Sequence, residues 1–162
     1  MKLLLSFFLI CVTVNAESIA NSTKNHIYEV GDRIIPFTLL SQHNKKAWID
    51  NTTQTILITY DKGSTALQNR FVIAKGGEKF LKGTNSLLIV DVSVIPFGIR
   101  SLFVLPKLKS FKHPLLLSYD ENFSKMFPYK DEHIAIVKIE KRIVKEIFYC
   151  NNEKCLEEVF KK

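Results

Sequence analysis

The alternation of apolar and polar stretches along the chain predicts a mixed α/β domain. Three short apolar runs are typical of buried strands: 55–60, 86–92 and 114–119. After the first run, Leu67, Phe71 and Val72 recur at helical spacing until Gly76-Gly77 ends the pattern. Two apolar strands separated by a helix predict a βαβ unit whose strands are buried on both faces.

Two further parts of the chain predict antiparallel hairpins. In the first, residues 34–39 and 47–50 flank the turn-rich stretch Gln42-His43-Asn44-Lys45. In the second, residues 133–140 and 142–149 flank a tight turn. Three remaining stretches predict helices: 96–108, 122–127 (a short helix or turn) and 152–160.

The first sixteen residues have the pattern of a secretory signal peptide. Residues 3–14 form an apolar run shorter than the roughly twenty residues that a membrane span needs, and Ala16 ends a site of small residues. We therefore expect cleavage after Ala16 and a periplasmic or secreted protein. An uncleaved N-terminal anchor is the alternative.

Cleavage would divide the chain into a signal peptide over 1–16, a flexible leader over 17–29 and one domain over 30–162, with no stable membrane span left. Loss of Lys2 changes the formal net charge from +7 to +6, since 7 − 1 = 6. Such a charge can favour anionic lipid or polyanions. The basic residues are scattered, which favours a solvated surface instead, and no nucleic-acid motif accompanies them.

Two cysteines remain after the predicted cleavage, Cys150 and Cys155. In an exported protein such a pair is more often bridged than free, so we expect a structural disulfide that holds the C-terminal helix. A redox-active pair and two free thiols are the alternatives. Two cysteines without nearby histidines fall short of the four ligands of a zinc site, so we expect no metal.

The end of the first buried strand supplies the candidate site. Asp61, Gly63, Ser64 and Thr65 lie where the strand passes into the helix. Ligands of open α/β sheets bind at the carboxyl ends of strands, so these side chains can line a small polar site. The same residues can instead cap the helix, and the two roles are compatible.

The element order and the opening at residues 30–39 resemble the thioredoxin-like superfamily, in particular peroxiredoxin and thiol-disulfide oxidoreductase domains. In those domains the strand-to-helix turn carries Cys-x-x-Cys and faces a cis-proline. Here the turn reads Gly63-Ser64-Thr65-Ala66, and His113-Pro114 opens a later strand. The resemblance implies a three-layer α/β fold with a central mixed sheet and an added N-terminal β-hairpin. It also extends to small exported bacterial proteins that lack the cysteine motif.

A hydroxyl cannot replace the redox thiolate, because a helix N-terminus does not ionise so weak an acid. We therefore expect no disulfide exchange at this turn and no cofactor. The first hypothesis is a non-catalytic module that binds an exported protein or peptide at one edge, formed by Asp61, Gly63, Ser64, Thr65, His113 and Pro114. The alternative is a thiol-disulfide oxidoreductase that uses the displaced pair Cys150 and Cys155.

Two further expectations depend on features that the sequence leaves open: the isomer of the bond before Pro114 and the burial of the aromatic residues in the middle of the chain. If Pro114 is cis, His113 lies in a loop that faces Gly63 and guards a peptide groove. An ordinary surface histidine before a proline is the alternative. The aromatic residues around Phe97 and Phe103 are expected in the core, and if exposed they would mark a partner surface.

Overall fold

The computed structural model describes residues 26–161, so the predicted signal peptide and residues 17–25 of the predicted leader lie outside the described residues. Seven strands, β1–β7, lie within this range: Thr38–Ser41, Lys46–Trp48, Thr55–Thr59, Ser86–Asp91, Leu116–Ser118, Ile134–Glu140 and Ile143–Cys150. The α-helices α1–α6 are Lys62–Ala74, Glu78–Gly83, Phe97–Ile99, Leu105–Lys109, Glu121–Ser124 and Glu153–Lys161. This mixed α/β architecture confirms the predicted fold class.

The strands form one mixed sheet in the order β2-β1-β5-β4-β3-β6-β7. β3, β4 and β5 are parallel, whereas β6 is antiparallel to β3 and β7 is antiparallel to β6. The register places Ile58 beside Ala135, and Ile134 beside Cys150. The carboxyl ends of β3, β4, β5 and β7 therefore share one end of the sheet with the start of β6. We call it the carboxyl end of the sheet.

Alternate residues of the central strands pack into two separate cores. Leu57 and Leu88 face the helical layer, which contributes buried side chains from α1, α2, α4 and α6: Leu67, Phe71, Val72, Leu81, Leu108, Leu156 and Val159. Ile56 and Ile58 face the opposite layer, where Phe127 is almost fully buried. All five positions of β3 are buried, as the unbroken apolar run predicts.

The helix predicted over 96–108 is present but irregular. α3 and α4 are joined by a π-helical turn at Arg100–Val104, in which the N–H of Leu105 donates to the carbonyl of Arg100. Pro106 follows directly and would clash with the carbonyl four residues earlier in a regular α-helix, which accounts for the wider turn. We call the whole stretch the 97–109 helix.

The N-terminal segment packs against the domain earlier than the sequence indicates. Tyr28, in the predicted leader, is buried and stacks edge-on against Phe127, with ring centroids 5.3 Å apart. Residues 31–34 then lie along the outer edge of β7, where the N–H of Val144 donates to the carbonyl of Asp32. The packed domain thus includes residues before Val30, because an aromatic anchor fixes them.

Candidate functional site

The turn between β3 and α1 is a capped helix start. The Asp61 carboxylate accepts hydrogen bonds from the backbone N–H of Ser64 at 2.8 Å and from its hydroxyl at 2.6 Å. A Cβ atom at Gly63 would lie 3.2 Å from Asp61 Oδ1, so glycine leaves room for this carboxylate. The capping role that the sequence suggested is therefore present.

The two hydroxyls of the turn Gly63-Ser64-Thr65-Ala66, which lie between the two positions that correspond to the cysteines of Cys-x-x-Cys, are both engaged within the protein. Ser64 is buried and donates to Asp61, while Thr65 Oγ1 lies 2.7 Å from the Asp61 carbonyl oxygen and 2.9 Å from Thr59 Oγ1. A buried hydroxyl held by a capping carboxylate is not placed to attack a substrate. The arrangement stabilises the helix start and offers no nucleophile.

We predict that Asp61→Ala lowers the free energy of unfolding by about 1 kcal/mol, because α1 loses its N-cap acceptor. Asp61→Asn retains a side-chain oxygen and should lose only a few tenths. Urea denaturation followed by circular dichroism measures both values. Equal losses in the two variants would mean that the carboxylate charge, and not the cap hydrogen bond, stabilises the turn.

A groove of about 650 Å³ lies beside the capped turn, between α1 and the 97–109 helix. Its walls are apolar: Val90, Val92, Ile95, Phe103, Val104, Leu108 and Phe111. Asp61, Thr65 and Lys107 are among the polar residues that line it, with Ala66 exposed on the α1 side. Gly63 and Ser64 do not line the groove. An apolar groove with a few polar groups is the usual form of a ligand site.

Tyr60 closes the groove at the end of β3. Its hydroxyl lies within 3.3 Å of the carbonyl oxygens of Ser124, Phe127 and Pro128, so it anchors the segment after α5. Burial, with a smaller effect of the Asp91 charge, raises the pKa of Tyr60 well above its usual range. The phenol thus remains a protonated donor and holds the segment after α5 against the end of β3.

The structure separates His113 and Pro114 from the turn at Gly63. No peptide bond within residues 26–161 is cis, so the bond before Pro114 is trans. Pro114 precedes β5, which is parallel to β4 and hence to β3, so it lies at the opposite end of the sheet from the β3–α1 turn. The expected cis-proline loop facing Gly63 is therefore wrong, and these two residues form no edge with Asp61.

His113 is a buried member of a hydrogen-bond network. Its Nε2 lies 2.7 Å from Asn69 Oδ1, and Asn69 Nδ2 donates to the Thr65 carbonyl. Since Asn69 Oδ1 can only accept, neutral His113 carries its proton on Nε2. Burial lowers the pKa of His113 below its usual range. The histidine thus supports the middle of α1, and it is not the surface residue that the sequence alternative described.

We predict that stability falls as the pH drops below about 6.5, the ordinary histidine pKa, because His113 is protonated more readily in the unfolded state. The stabilisation is complete above that pH and is lost as the pH falls through the lowered folded pKa. One such group contributes at most about 1.4 kcal/mol per pH unit. Urea midpoints at pH 7.5 and 5.5 should differ less for His113→Gln than for wild type. His43→Gln, at an exposed position, is the control, and an unchanged difference in His113→Gln would contradict the assignment.

Cys150 and Cys155 form the predicted disulfide, with Cα atoms 5.5 Å apart. Cys150 is fully buried at the end of β7, whereas Cys155 is partly exposed in the first turn of α6 and its N–H donates to Asn152 Oδ1. Because Cys150 pairs with Ile134, the disulfide lies at the carboxyl end of the sheet, two strands from β3. It shares this end with the capped turn.

Sequence reasoning missed the residues that the 97–109 helix brings to the groove, chiefly Phe103 and Lys107. His133 precedes β6 and lies just beyond the end of β3 because β6 is antiparallel to β3, but it is not among the residues that line the groove. The position of His133 relative to β3 follows from the pairing of β6 with β3. The signal in the sequence was the second hairpin, because its first strand, β6, must pair with one of the other strands of the sheet.

Residues 26–161 contain neither a metal-binding cluster nor a membrane-spanning helix. No group of three or more histidine, cysteine or acidic side chains is arranged to hold a metal ion there. Among the helices of that range, none has the length and apolar character required to cross a membrane.

Comparison with known proteins found likeness in structure alone. No family model and no curated protein matches this chain. A cysteine variant of PrxQ from Xylella fastidiosa superposes with a TM-score of 0.56 at 13% identity, covering 84% of this chain and 95% of that one. A candidate protein disulfide isomerase from Bacteroides thetaiotaomicron gives 0.55 at 15%, covering 85% and 89%. StoA from Bacillus subtilis gives 0.52 at 13%, covering 76% and 95%.

These neighbours are peroxiredoxin and thiol-disulfide oxidoreductase folds. The chain therefore has a thioredoxin-like fold, as its sequence resemblance predicts. At such low identity the likeness defines the fold and leaves the activity to be argued from this chain's own residues.

Proposed function

We propose that this protein is an exported, non-catalytic member of the thioredoxin-like superfamily, which binds a segment of another exported protein or peptide in the groove beside the β3–α1 turn. The carrying observation is that the turn has no cysteine: Gly63 and Ala66 stand where Cys-x-x-Cys relatives carry the two thiols, and the hydroxyls of Ser64 and Thr65 between them are engaged in capping the helix. The turn is thus built for stability, while the groove beside it remains open. The signal-peptide pattern of residues 1–16 supports export.

The shape and chemistry of the groove suit an extended peptide. Its apolar walls match one or two apolar side chains, and Asp61 and Lys107 on its lining offer charges of both signs to a peptide backbone or polar side chains. Because Pro114 is trans and distant, recognition would depend on the groove and not on a proline loop.

A matched pair of tryptophan substitutions tests the groove. Ala66 and Ala74 are both exposed on α1, but only Ala66 lines the groove. Both cores and the whole sheet lie within residues 26–161, so the chain from Glu17 onward carries the described fold. Peptides selected on this wild-type chain from a random phage-displayed library serve as probes.

We expect the selected peptides to bind Ala74→Trp as they bind wild type and to bind Ala66→Trp at least about tenfold more weakly, a loss of about 1.4 kcal/mol. The indole at position 66 would occupy the space that a peptide side chain needs. Peptides that bind all three proteins equally, or a selection that yields none, would contradict the proposal.

A specific observation favours a second candidate, a thiol-disulfide oxidoreductase that uses Cys150 and Cys155. The two cysteines are bridged at the same end of the sheet as the family's usual redox turn, and Cys155 is partly exposed at a helix N-terminus, which favours a thiolate leaving group. An exported dithiol would reduce the bridge and become a disulfide itself. A structural bridge should have a reduction potential below about −300 mV, and a catalytic one a higher value.

A further inference from the structure

The outward side of the 97–109 helix and the loop before it form an exposed apolar surface. Five large apolar side chains there are more than half exposed: Val94 63%, Phe97 76%, Ile99 53%, Leu102 71% and Phe103 70%. Ile99 and Pro106 flank the π-helical turn that contains Leu102 and Phe103, and all four are exposed. We call these six residues the apolar face.

This surface corrects the expectation that Phe97 and Phe103 belong to the core. Leu108 is the buried residue of α4, and α3 and the π-helical turn contribute no buried residue. Lone exposed apolar residues are common on soluble proteins, but a contiguous set of this size marks an interaction site.

The charged residues that are close to the apolar face in the sequence are all basic. No aspartate or glutamate occurs between Asp91 and Asp120, while this stretch contains four basic residues: Arg100, Lys107, Lys109 and Lys112. The three lysines are exposed. Asp91 itself is buried and accepts the N–H of Ser93, so it does not offset the exposed lysines directly.

We propose that the apolar face docks on the anionic surface of a lipid bilayer. Ile99, Leu102 and Phe103 would enter the boundary between headgroups and acyl chains, and the lysines at the C-terminal part of the helix would contact lipid phosphates. Exposed apolar side chains along a helical segment beside exposed lysines, with no nearby acidic residues in sequence, are the pattern of an interfacial helix. The contact is peripheral and requires no membrane-spanning helix.

A lipid surface fits this face better than a peptide does. Five of its side chains are each more than half exposed, so the face is convex, whereas a bound peptide needs a concave site. The groove of the proposed function lies on the α1 side of the same helix. Phe103 and Lys107 line that groove, but Ile99 and Leu102 do not, so the two proposals can be tested separately.

Vesicle sedimentation tests the proposal with the chain from Glu17 onward, since the predicted signal peptide would itself bind lipid. The probes are vesicles of phosphatidylcholine alone and of phosphatidylcholine mixed with phosphatidylglycerol. The test variant is Ile99→Ser/Leu102→Ser. The matched control is Val30→Ser/Trp48→Ser, which also removes two exposed apolar side chains, 64% and 59% exposed. Circular dichroism checks that all forms are folded.

We expect wild type and the control to sediment with the mixed vesicles and not with phosphatidylcholine alone. Ile99→Ser/Leu102→Ser should reduce the partition coefficient at least about tenfold, because buried apolar area is lost. Lys109→Gln/Lys112→Gln should reduce it about fivefold per lysine at low salt. Failure of wild type to sediment, or equal sedimentation of the serine variant, would overturn the proposal. A concentration-dependent dimer that Ile99→Ser/Leu102→Ser abolishes, without vesicle binding, would assign the face to a second copy.

Discussion

Replacing Cys150 and Cys155 together with serine is expected to lower the free energy of unfolding by about 2 kcal/mol and to leave insulin reduction at background. The loop that the disulfide closes is short, so the chain-entropy gain is smaller than the about 3 kcal/mol of a 15-residue loop. Cys150 is fully buried, and its serine replacement adds the cost of a buried hydroxyl. Urea denaturation and an insulin-turbidity assay with dithiothreitol measure the two effects.

Wild type under reducing conditions is the control for this experiment. If the bridge acts through the unfolded chain, reduced wild type should lose most of the stability that the double variant loses, and the remainder is the cost of the buried serine hydroxyl. Insulin reduction by wild type that disappears in Cys150→Ser/Cys155→Ser would instead establish a displaced redox centre and contradict the non-catalytic proposal. A reduction potential well above −300 mV, the approximate bound for structural bridges, would support the same conclusion.

Replacing Gln42 with alanine is expected to lower the free energy of unfolding by about 3 kcal/mol. The buried side chain of Gln42 donates through Nε2 to the carbonyls of Phe111 and His113, and its Oε1 accepts the N–H of Leu115. Its removal takes a side-chain partner from three backbone groups, at about 1 kcal/mol or more each, and only the Phe111 carbonyl has a second contact among these, with His43 Nε2 at 3.1 Å. Because Phe111 lines the groove, peptide binding should weaken as well.

His43→Ala is the control for Gln42, since it removes the neighbouring, exposed side chain, whose Nε2 contacts only the Phe111 carbonyl of these three backbone groups. We expect a change within about 0.5 kcal/mol. Urea denaturation of both variants decides the matter. A loss in Gln42→Ala no larger than in His43→Ala would mean that water satisfies the three backbone groups.

The regular elements could be predicted because their patterns are local. The five buried positions of β3 and the turn of the second hairpin follow from the run of apolar residues and its interruption. The predicted tight turn near Lys141 has two residues, Lys141 and Arg142, which adopt positive φ of 49° and 66° and so form the turn without glycine. The disulfide was predictable for the same reason, since Cys150 and Cys155 are close in sequence.

The candidate site was only half predictable because it depends on strand pairing. A proline before an apolar strand does not reveal which neighbour that strand takes. β5 pairs with β4 and β1, which carries Pro114 away from the turn, while β6 pairs with β3 and brings His133 near it. Tyr28 was missed because one aromatic residue in a polar stretch has no periodicity. The exposure of Phe103 was missed because periodicity identifies an apolar helix face without showing what covers it.

The two edge strands of the sheet, β2 and β7, limit how the protein can associate with other chains. β2 is three residues long and carries Lys46, and the first residues of β7 already pair with the N-terminal segment at Asp32. Edge strands that are short, charged or covered disfavour the addition of a strand from another chain, which is how exposed sheet edges aggregate or exchange segments. Contacts with other molecules would then depend on side chains of the groove and the apolar face, and the protein would resist self-assembly at high concentration while these surfaces stay accessible.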